Sequence, residues 1–302
     1  MDRTKSSYEV IVKNGMKIKK VNVDYYTRKF LDISYADISP TQKLDIFLPE
    51  GEGPFPVIVS IHGGAFSFGD SRGSDCVTAL NALDRGYAIV SVNYRLSGEA
   101  TFPADVEDIK AAIRFIRKNA GQYSLNPDKI ASWGGSAGGA LSAMCATSGD
   151  VEDFKNPLLG NTDVSDKVQA AIDWFGPINF LTMDEQFVEI GIDGQIHNSE
   201  DSFESKLMGQ QITLIPEAVA KHNPETYITL DCPPIFIQHG TIDSIIPRLQ
   251  SVQFAAKLES VIGADKVYFE LLENAGHGGP EFDKPANIKK VLDFLDQHLK
   301  VK

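Results

Sequence analysis

The 302-residue sequence has few cysteines and lacks any long apolar segment. Its three cysteines, Cys76, Cys145 and Cys232, are far apart and odd in number, so the sequence predicts no disulfide framework. Because no Cys-x-x-Cys pair is present, a structural zinc site is disfavoured, and we expect no metal. No segment approaches the apolar length that a membrane-spanning helix requires.

Positive charge is also scarce, because 41 acidic residues outnumber 29 lysines and arginines and leave a net charge of −12. A nucleic-acid-binding protein usually presents a basic surface to phosphates, and an anionic membrane attracts basic segments. We therefore expect neither nucleic acid nor a membrane as a partner. Residues 1–10 lack the apolar run of a signal peptide, which predicts a cytoplasmic protein. Nothing in the sequence indicates an oligomeric state.

The remaining composition, with 42% hydrophobic and 23% charged residues, is that of an ordinary globular protein with a large core. The length suits one large domain better than two, so we interpret residues 1–302 as a single domain. Short β-type segments alternate with helix-type segments through most of the chain. This alternation predicts an α/β fold, with a mostly parallel sheet flanked by helices.

Six short segments rich in Val and Ile are typical of strands that are covered on both faces. They are residues 56–62, 87–93, 129–133, 170–175, 234–239 and 267–272. Two earlier segments, 16–27 and 43–49, have only turn-type sequence between them and are predicted to be antiparallel strands. Together these segments predict an eight-stranded sheet.

The segment 178–223 interrupts the alternation, because it contains no strand of the expected type. A stretch of this length without a core strand is typical of a functional insertion, and we interpret it as a lid-like cover over a site. The alternative is a peripheral helical excursion that only packs against the domain.

The motif Gly134-Gly135-Ser136-Ala137-Gly138 matches G-x-S-x-G, the pattern of a nucleophile elbow. A serine in such an elbow lies on a strained strand-to-helix turn, and the flanking glycines avoid a clash at their Cβ positions. An apolar strand precedes the motif and a helix-type segment follows it, as the elbow requires. A phosphate-binding glycine turn would need a lysine and an acidic partner that are missing here. We therefore predict Ser136 as the nucleophile.

A serine nucleophile needs a histidine base and an acid, which follow it in the chain order Ser, acid, His. His277 lies in a glycine-rich loop after the last predicted strand and fits this order, whereas His239 directly ends a strand. Asp243 follows the strand 234–239 and is the predicted acid. Glu273, at the end of the last strand, stays open as an alternative to Asp243.

An oxyanion must also be bound by backbone N–H groups, which glycine allows to approach closely. Gly63 and Gly64 follow the strand 56–62, and Ala137 follows the nucleophile, so these three residues are the predicted donors. Three aromatic residues near these loops are candidates for substrate binding or for plain core packing. They are Phe66, Phe68 and Trp174.

These motifs together resemble the α/β-hydrolase esterase/lipase families. The resemblance rests on His62-Gly63-Gly64-Ala65, Asn93-Tyr94-Arg95-Leu96, Phe102-Pro103-Ala104, Trp133 to Gly139, Phe175-Gly176-Pro177, His239 to Asp243 and Gly276-His277-Gly278. It covers roughly residues 40–299 and is greatest to the bacterial feruloyl-esterase-like and acetyl-xylan-esterase-like branch. It implies an esterase that cleaves short acyl groups without a cofactor. Ala65 replaces the third glycine of the hormone-sensitive-lipase pattern, which disfavours esters of tertiary alcohols.

The expected reaction is hydrolysis of short-chain acyl esters, such as acetyl or feruloyl esters of plant polysaccharides, through an acyl-enzyme. The expected partner is thus a small-molecule or oligosaccharide ester. Three alternatives share the same residues: an amidase or peptidase, such as a kynurenine-formamidase-like enzyme, an acyltransferase, and a non-catalytic binding protein on a hydrolase fold. Leaving-group preference would separate the first from an esterase. Binding proteins of this kind typically lose the serine or histidine, and both are present here.

Overall fold

The computed structural model describes residues 7–13 and 16–300. Residues 1–6, part of the segment on which the absence of a signal peptide was predicted, lie outside the described residues. Two short strands near the N-terminus, β1 (Tyr8–Lys13) and β2 (Met16–Val21), pair only with each other as an antiparallel hairpin within the described chain.

The main sheet has eight strands in the described residues. In chain order they are β3 (Lys29–Ser34), β4 (Lys43–Phe47), β5 (Phe55–Ile61), β6 (Ala88–Val92), β7 (Leu125–Gly135), β8 (Ala170–Trp174), β9 (Ile235–Gly240) and β10 (Val267–Leu272). Across the sheet the order is β10-β9-β8-β7-β5-β6-β4-β3. The six strands from β5 to β10 are parallel, whereas β4 is antiparallel to both β3 and β6. The predicted α/β fold with its mostly parallel eight-stranded sheet is confirmed.

The prediction for the first strand was wrong. The segment 16–27 contributes β2 to the separate hairpin and then forms a 3₁₀ turn at Val23–Tyr25, and the edge strand is Lys29–Ser34 instead. Both segments mix β-branched or aromatic residues with charged ones, so local propensity does not separate them. Pairing with β4 decides which segment joins the sheet.

Helices cover both faces of the sheet. They are α1 (Ser74–Ala79), α2 (Ala104–Lys118), α3 (Ala137–Thr147), α4 (Met183–Ile190), α5 (Phe203–Met208), α6 (Pro216–Ala220), α7 (Leu249–Ile262), α8 (Pro280–Asp283) and α9 (Pro285–Leu299). Alternate residues of the central strand β5 show the two layers: Val57 and Val59 pack in the core with α2 and α3, and Ile58 packs with α1 and α9. Burial on both faces explains why the parallel strands are apolar throughout.

The segment 178–223 contains no strand in the structure, in which all of its residues are described. It runs between β8 and β9 and contains α4, α5, α6 and short 3₁₀ turns at Phe180–Thr182 and Ile212–Leu214. Apolar residues of this segment, such as Phe180, Leu207 and Val219, are fully buried against the main core. The insertion is therefore firmly packed on the domain.

Candidate active site

The candidate residues meet at the carboxyl ends of four parallel strands. Ser136 follows β7, the turn Gly63-Gly64 follows β5, Asp243 follows β9 and His277 follows β10. In open α/β sheets the carboxyl ends of the strands lie at one edge, where ligands generally bind. Residues far apart in sequence thus lie side by side.

Ser136 lies on a sharp turn between β7 and α3. Its φ of 58° and ψ of −126° lie in a region that costs a non-glycine residue about 1–3 kcal/mol. The flanking glycines are required sterically. A Cβ at Gly134 would lie 2.2 Å from the carbonyl oxygen of Gly138, and one at Gly138 would lie 2.1 Å from that of Ile61. Close packing of the turn against β5 therefore presents the serine at the strand end.

Ser136, His277 and Asp243 are joined by hydrogen bonds. The Nε2 atom of His277 is 2.8 Å from Ser136 Oγ, and its Nδ1 atom is 2.8 Å from Asp243 Oδ2. Nδ1–H donates to the carboxylate, which leaves Nε2 to accept the serine proton. Asp243 is buried, and the His277 side chain is 21% exposed, so the base is accessible from solvent while the acid is not.

Asp243 is bonded on both of its carboxylate oxygens. The amides of Ile245 and Ile246 donate to Oδ1 at 2.8 and 3.0 Å, and His239 Nε2 lies 3.3 Å from Oδ2. Burial alone would raise the pKa of Asp243, but the hydrogen bonds from His239 and His277 outweigh it and lower the pKa well below its ordinary value. The carboxylate is therefore ionised at neutral pH.

His277 has an aromatic support. The ring of Phe175 meets the imidazole edge to face with centroids 4.8 Å apart, and Phe282 packs behind Phe175 at 4.6 Å. Phe175 has a φ of 44°. This contact restricts the movement of the imidazole. In the sequence Phe175 stands out only as part of the motif Phe175-Gly176-Pro177, and no local signal indicates its role.

The turn after β5 has an unusual backbone. Gly64, Ala65 and Phe66 all have positive φ, at 118°, 49° and 56°. Among the hydrogen bonds of the described residues, none uses the N–H of Gly64, Ala65 or Ala137. Ala137 is the first residue of α3, where the N–H groups lack helical partners and the helix dipole favours an anion. These three amides are therefore free to bind an oxyanion.

Gly63 differs from the prediction, because its N–H already donates to Asp75 Oδ2 at 3.2 Å. Asp75 lies in the first turn of α1, and burial raises its pKa to about 6. The Gly63 amide is therefore engaged inside the protein, and Ala65 takes its place among the free amides. The sequence contains no signal for Asp75, because its contact with the turn arises only when α1 packs beside β5.

His62 stabilises the same turn through its side chain. Its Nδ1 donates to the Gly63 carbonyl at 2.8 Å, and its ring stacks on Tyr94 with centroids 4.4 Å apart. The Tyr94 hydroxyl donates to the His62 carbonyl at 2.9 Å. Burial lowers the pKa of His62, so its imidazole is neutral at neutral pH. His62 is thus a structural residue of the turn.

The three aromatic candidates have different positions. Phe66 is 1% exposed and packs on Phe180 and His222, and Trp174 is 5% exposed and packs on Trp133. Neither ring is accessible to a ligand, so both are packing residues, contrary to the substrate-binding interpretation. Phe68 is 53% exposed.

Phe68 connects the oxyanion turn to the insertion. Its Cδ2 atom lies 3.3 Å from the position that a Cβ at Gly64 would take. On its other side it meets Phe203, the first residue of α5, edge to face with centroids 5.3 Å apart. The exposed ring of Phe68 and the half-buried ring of Phe203 therefore lie beside the free amide of Gly64.

Comparison with known proteins identifies the family to which this chain belongs. The BD-FAE family model matches residues 44–258, which include Ser136, Asp243 and the turn at Gly64. The chain belongs to the BD-FAE family. The resemblance to α/β-hydrolase esterases of the feruloyl-esterase-like branch is thereby confirmed. His277 lies beyond the matched residues, so its place in the site rests on the structure.

Curated proteins and solved structures that are similar to this chain include esterases. Esterase LipQ of Mycobacterium tuberculosis is 30% identical over 279 residues, which cover 89% of this chain and 62% of LipQ. A truncated carbohydrate esterase from gut microbiota is 29% identical, with a TM-score of 0.84 over 94% of this chain and 100% of that one. A bifunctional GH43-CE protein of Bacteroides eggerthii is 31% identical, with a TM-score of 0.81 over 90% of this chain and 35% of that one. The chain spans less than two thirds of the length of the first curated relatives that it matches.

Among the described residues, no group of three or more His, Cys, Asp or Glu side chains is arranged to hold a metal ion. In the same part of the chain, no helix combines the length and apolar character needed to cross a bilayer.

Proposed function

We propose that this chain is a serine carboxylesterase that hydrolyses short-chain acyl esters through an acyl-enzyme on Ser136. The observation that carries the proposal is the hydrogen-bonded chain from Ser136 Oγ through His277 to Asp243. The esterase names of its relatives support the same class of reaction. The three free amides beside the serine supply the anion-binding groups that acyl transfer requires.

In the first step Ser136 Oγ attacks the ester carbonyl carbon while His277 Nε2 takes the hydroxyl proton. Asp243 stabilises the imidazolium that forms, and it stays ionised because its pKa is lowered. The carbonyl oxygen becomes an oxyanion and accepts hydrogen bonds from the amides of Gly64, Ala65 and Ala137. His277 then donates its proton to the leaving alcohol as the carbon–oxygen bond breaks.

In the second step a water molecule attacks the acyl-enzyme. His277 again accepts the proton, this time from the water, and the oxyanion forms in the same place. Collapse of the intermediate breaks the bond to Ser136 Oγ and returns the proton to the serine. The products are a carboxylic acid and the free enzyme.

The substrates we propose are acetyl or feruloyl esters of plant polysaccharides. Two solved structures that this chain resembles are described as a carbohydrate esterase and as a GH43-CE protein. The exposed ring of Phe68, backed by the half-buried ring of Phe203, provides an apolar surface next to the oxyanion turn, against which a sugar or phenolic ring can pack. The insertion 178–223 supplies Phe203 and is the proposed cover of the site.

The test is a substrate panel for the wild type and Ser136→Ala. The panel contains p-nitrophenyl acetate, butyrate and octanoate, methyl ferulate, acetylated xylan and N-formylkynurenine. We expect acetate and ferulate esters to be cleaved best, and Ser136→Ala to lose activity by roughly 10⁴-fold or more. Ser260→Ala, which removes an exposed hydroxyl on α7, is the matched control and should keep full activity.

Substantial activity in Ser136→Ala would rule out the nucleophile assignment. Turnover of N-formylkynurenine at a rate equal to the best ester would instead favour an amidase. Transfer of the acyl group to an added alcohol in preference to water would indicate an acyltransferase. In both of these cases Ser136 would remain essential.

A further inference from the structure

The insertion contains a buried histidine–carboxylate pair, His197 and Glu204, that is separate from Ser136, His277 and Asp243. His197 and Glu204 are almost completely buried, and His197 Nδ1 lies 3.0 Å from Glu204 Oε1. The contact is an ion pair and not a well-aligned hydrogen bond, because Nδ1 has no hydrogen-bond partner of good geometry among the described residues. The second carboxylate oxygen, Glu204 Oε2, has no hydrogen-bond partner there either. Burying these two groups costs free energy, because each loses its hydration.

The insertion holds this histidine in place from three sides. The amides of His197 and Asn198 donate to the carboxylate of Asp184 on α4, at 2.7 and 3.0 Å. Phe187, one turn further along α4, stacks parallel to the imidazole with an interplanar angle of 13°. Glu204 belongs to α5. The imidazole therefore has a defined orientation.

The other ring nitrogen of His197 contacts the turn that carries Asp243. His197 Nε2 donates to the carbonyl oxygen of Ile245 at 2.9 Å, and the nearby amide of Gln195 donates to the carbonyl of Ser244 at 2.9 Å. Ile245 is also the residue whose amide donates to Asp243 Oδ1 at 2.8 Å. One peptide segment is thus bound to the insertion on one side and to the acid on the other.

A second histidine binds the next carbonyl of the same turn. His239 Nε2 contacts the carbonyl of Ile246 at 3.0 Å, and its Nδ1 contacts Ser251 on α7 at 2.7 Å. The Asp243 turn is therefore fixed by His239 from the sheet and by His197 from the insertion. The contact from His239 comes from β9 itself, whereas the contact from His197 depends on how the insertion packs on the domain.

The electrostatics of the pair strengthen the contact with Ile245. Burial by itself lowers the pKa of His197, but the carboxylate of Glu204, close to Nδ1, outweighs it and raises the pKa. Both ring nitrogens face acceptors, as a protonated imidazole requires. A charged donor forms a stronger hydrogen bond to a carbonyl than a neutral one.

We propose that His197 and Glu204 are positioning residues for Asp243. Through the backbone of Ile245 they hold the carboxylate in the orientation that His277 needs, so the insertion is part of the catalytic apparatus and not only a cover. This inference rests on the proposed function of Ser136, His277 and Asp243. Since neither residue touches the substrate in this role, their loss lowers kcat and leaves KM nearly unchanged.

The experiment compares two isosteric replacements of the histidine. In His197→Gln the side-chain amide can still donate to Ile245 from the position of Nε2, whereas in His197→Asn it reaches only toward Glu204. We expect kcat for p-nitrophenyl acetate to fall about tenfold in His197→Asn and to stay within about twofold of wild type in His197→Gln, with KM unchanged in both. Glu204→Gln should give an intermediate loss of kcat.

His298→Gln is the matched control. It makes the same chemical change at a histidine of α9 that packs on Tyr268 and Phe294, far along the sheet from Asp243. Thermal unfolding of each variant shows whether it is folded at the assay temperature. Equal kcat in the Asn and Gln variants, or losses that follow the melting temperature alone, would overturn the proposal. Because Ser136→Ala tests the nucleophile separately, the positioning role can fail while the proposed function stands.

Discussion

Two aspartates of this protein show that burial alone does not determine whether a carboxyl group is ionised. Asp243 and Asp173 are both buried aspartates at the carboxyl ends of neighbouring strands. Asp243 has two amides and two histidines around it, and its pKa is lowered. Asp173 accepts one amide bond, from Gly176, and its second oxygen has no partner among the described residues, so burial raises its pKa to about 7. Partners, rather than depth, decide the ionisation.

The raised pKa of Asp173 predicts a stability that falls with pH. Between the unfolded pKa of 3.8 and the folded pKa of about 7, the folded state binds the proton more strongly, so the free energy of unfolding decreases as the pH rises. Asp173→Asn removes this contribution. From about pH 5 to about pH 7, we expect the variant to gain stability relative to wild type by about 1 kcal/mol per pH unit. Urea denaturation at each pH measures the difference.

A constant difference between Asp173→Asn and wild type across this range would show that Asp173 ionises normally. Asp163→Asn, at an exposed ion pair with Lys118, is the control, and its difference from wild type should not vary over the same range. The activity of Asp173→Asn should be retained, because Asp173 contacts none of the proposed catalytic side chains.

At the scale of elements, a buried ion cluster joins α2 to the loop before β8. Lys110 and Arg114 of α2 and Asp166 of the loop are all inaccessible to solvent, and their ion pairs measure 2.8 and 3.2 Å. Lys110 also donates to the carbonyl of Ser148 at the C-terminal end of α3, at 2.6 Å. The negative end of the α3 dipole therefore helps to balance two cations against one carboxylate.

Asp166→Asn should be strongly destabilising, because it leaves two buried cations without a counter-charge. We expect a loss of about 3–5 kcal/mol in the free energy of unfolding, measured in urea. At a temperature where the variant is folded, kcat and KM should match wild type, since this cluster lies at the far end of α3 from Ser136. A loss below about 1 kcal/mol would mean that water replaces the missing charge.

At the scale of the whole molecule, the net charge of −12 gives the protein a negative field at long range. Such a field repels anionic substrates, and salt weakens the repulsion because the Debye length shortens. Neutral acyl esters are unaffected. The charge thus favours uncharged esters over those that carry a free carboxylate.

The prediction compares 4-acetoxybenzoate with its neutral methyl ester, which presents the same acetyl group. We expect kcat/KM for the anion to rise about twofold or more as ionic strength increases from about 0.01 to about 0.15 M, over which the Debye length shortens from about 30 to about 8 Å. The neutral ester serves as the control and should change little. An equal response of both esters to salt would contradict a role for the protein's net charge.

Sequence patterns predicted the six parallel strands well, because burial on both faces makes them short, apolar and easily recognised. They did not separate β3 from the segment before it, since an edge strand carries charged residues and is selected by its pairing with β4. Local patterns also pointed to Ser136, His277 and Asp243, whose chain order is characteristic. Phe175, Asp75 and His197 could not be found this way, because their contacts come from other elements.

The amino-acid sequence by itself determined the six parallel strands, the strained serine turn and the order of the residues around it, because these depend on burial and steric demands within a few residues. Tertiary structure alone decided which amides are free. Packing of α1 brings Asp75 to Gly63 and leaves Gly64, Ala65 and Ala137 available. Tertiary structure also decided that the insertion binds the turn that carries Asp243. The hydrogen bond from His197 to Ile245 joins residues 48 positions apart and exists only in the folded protein.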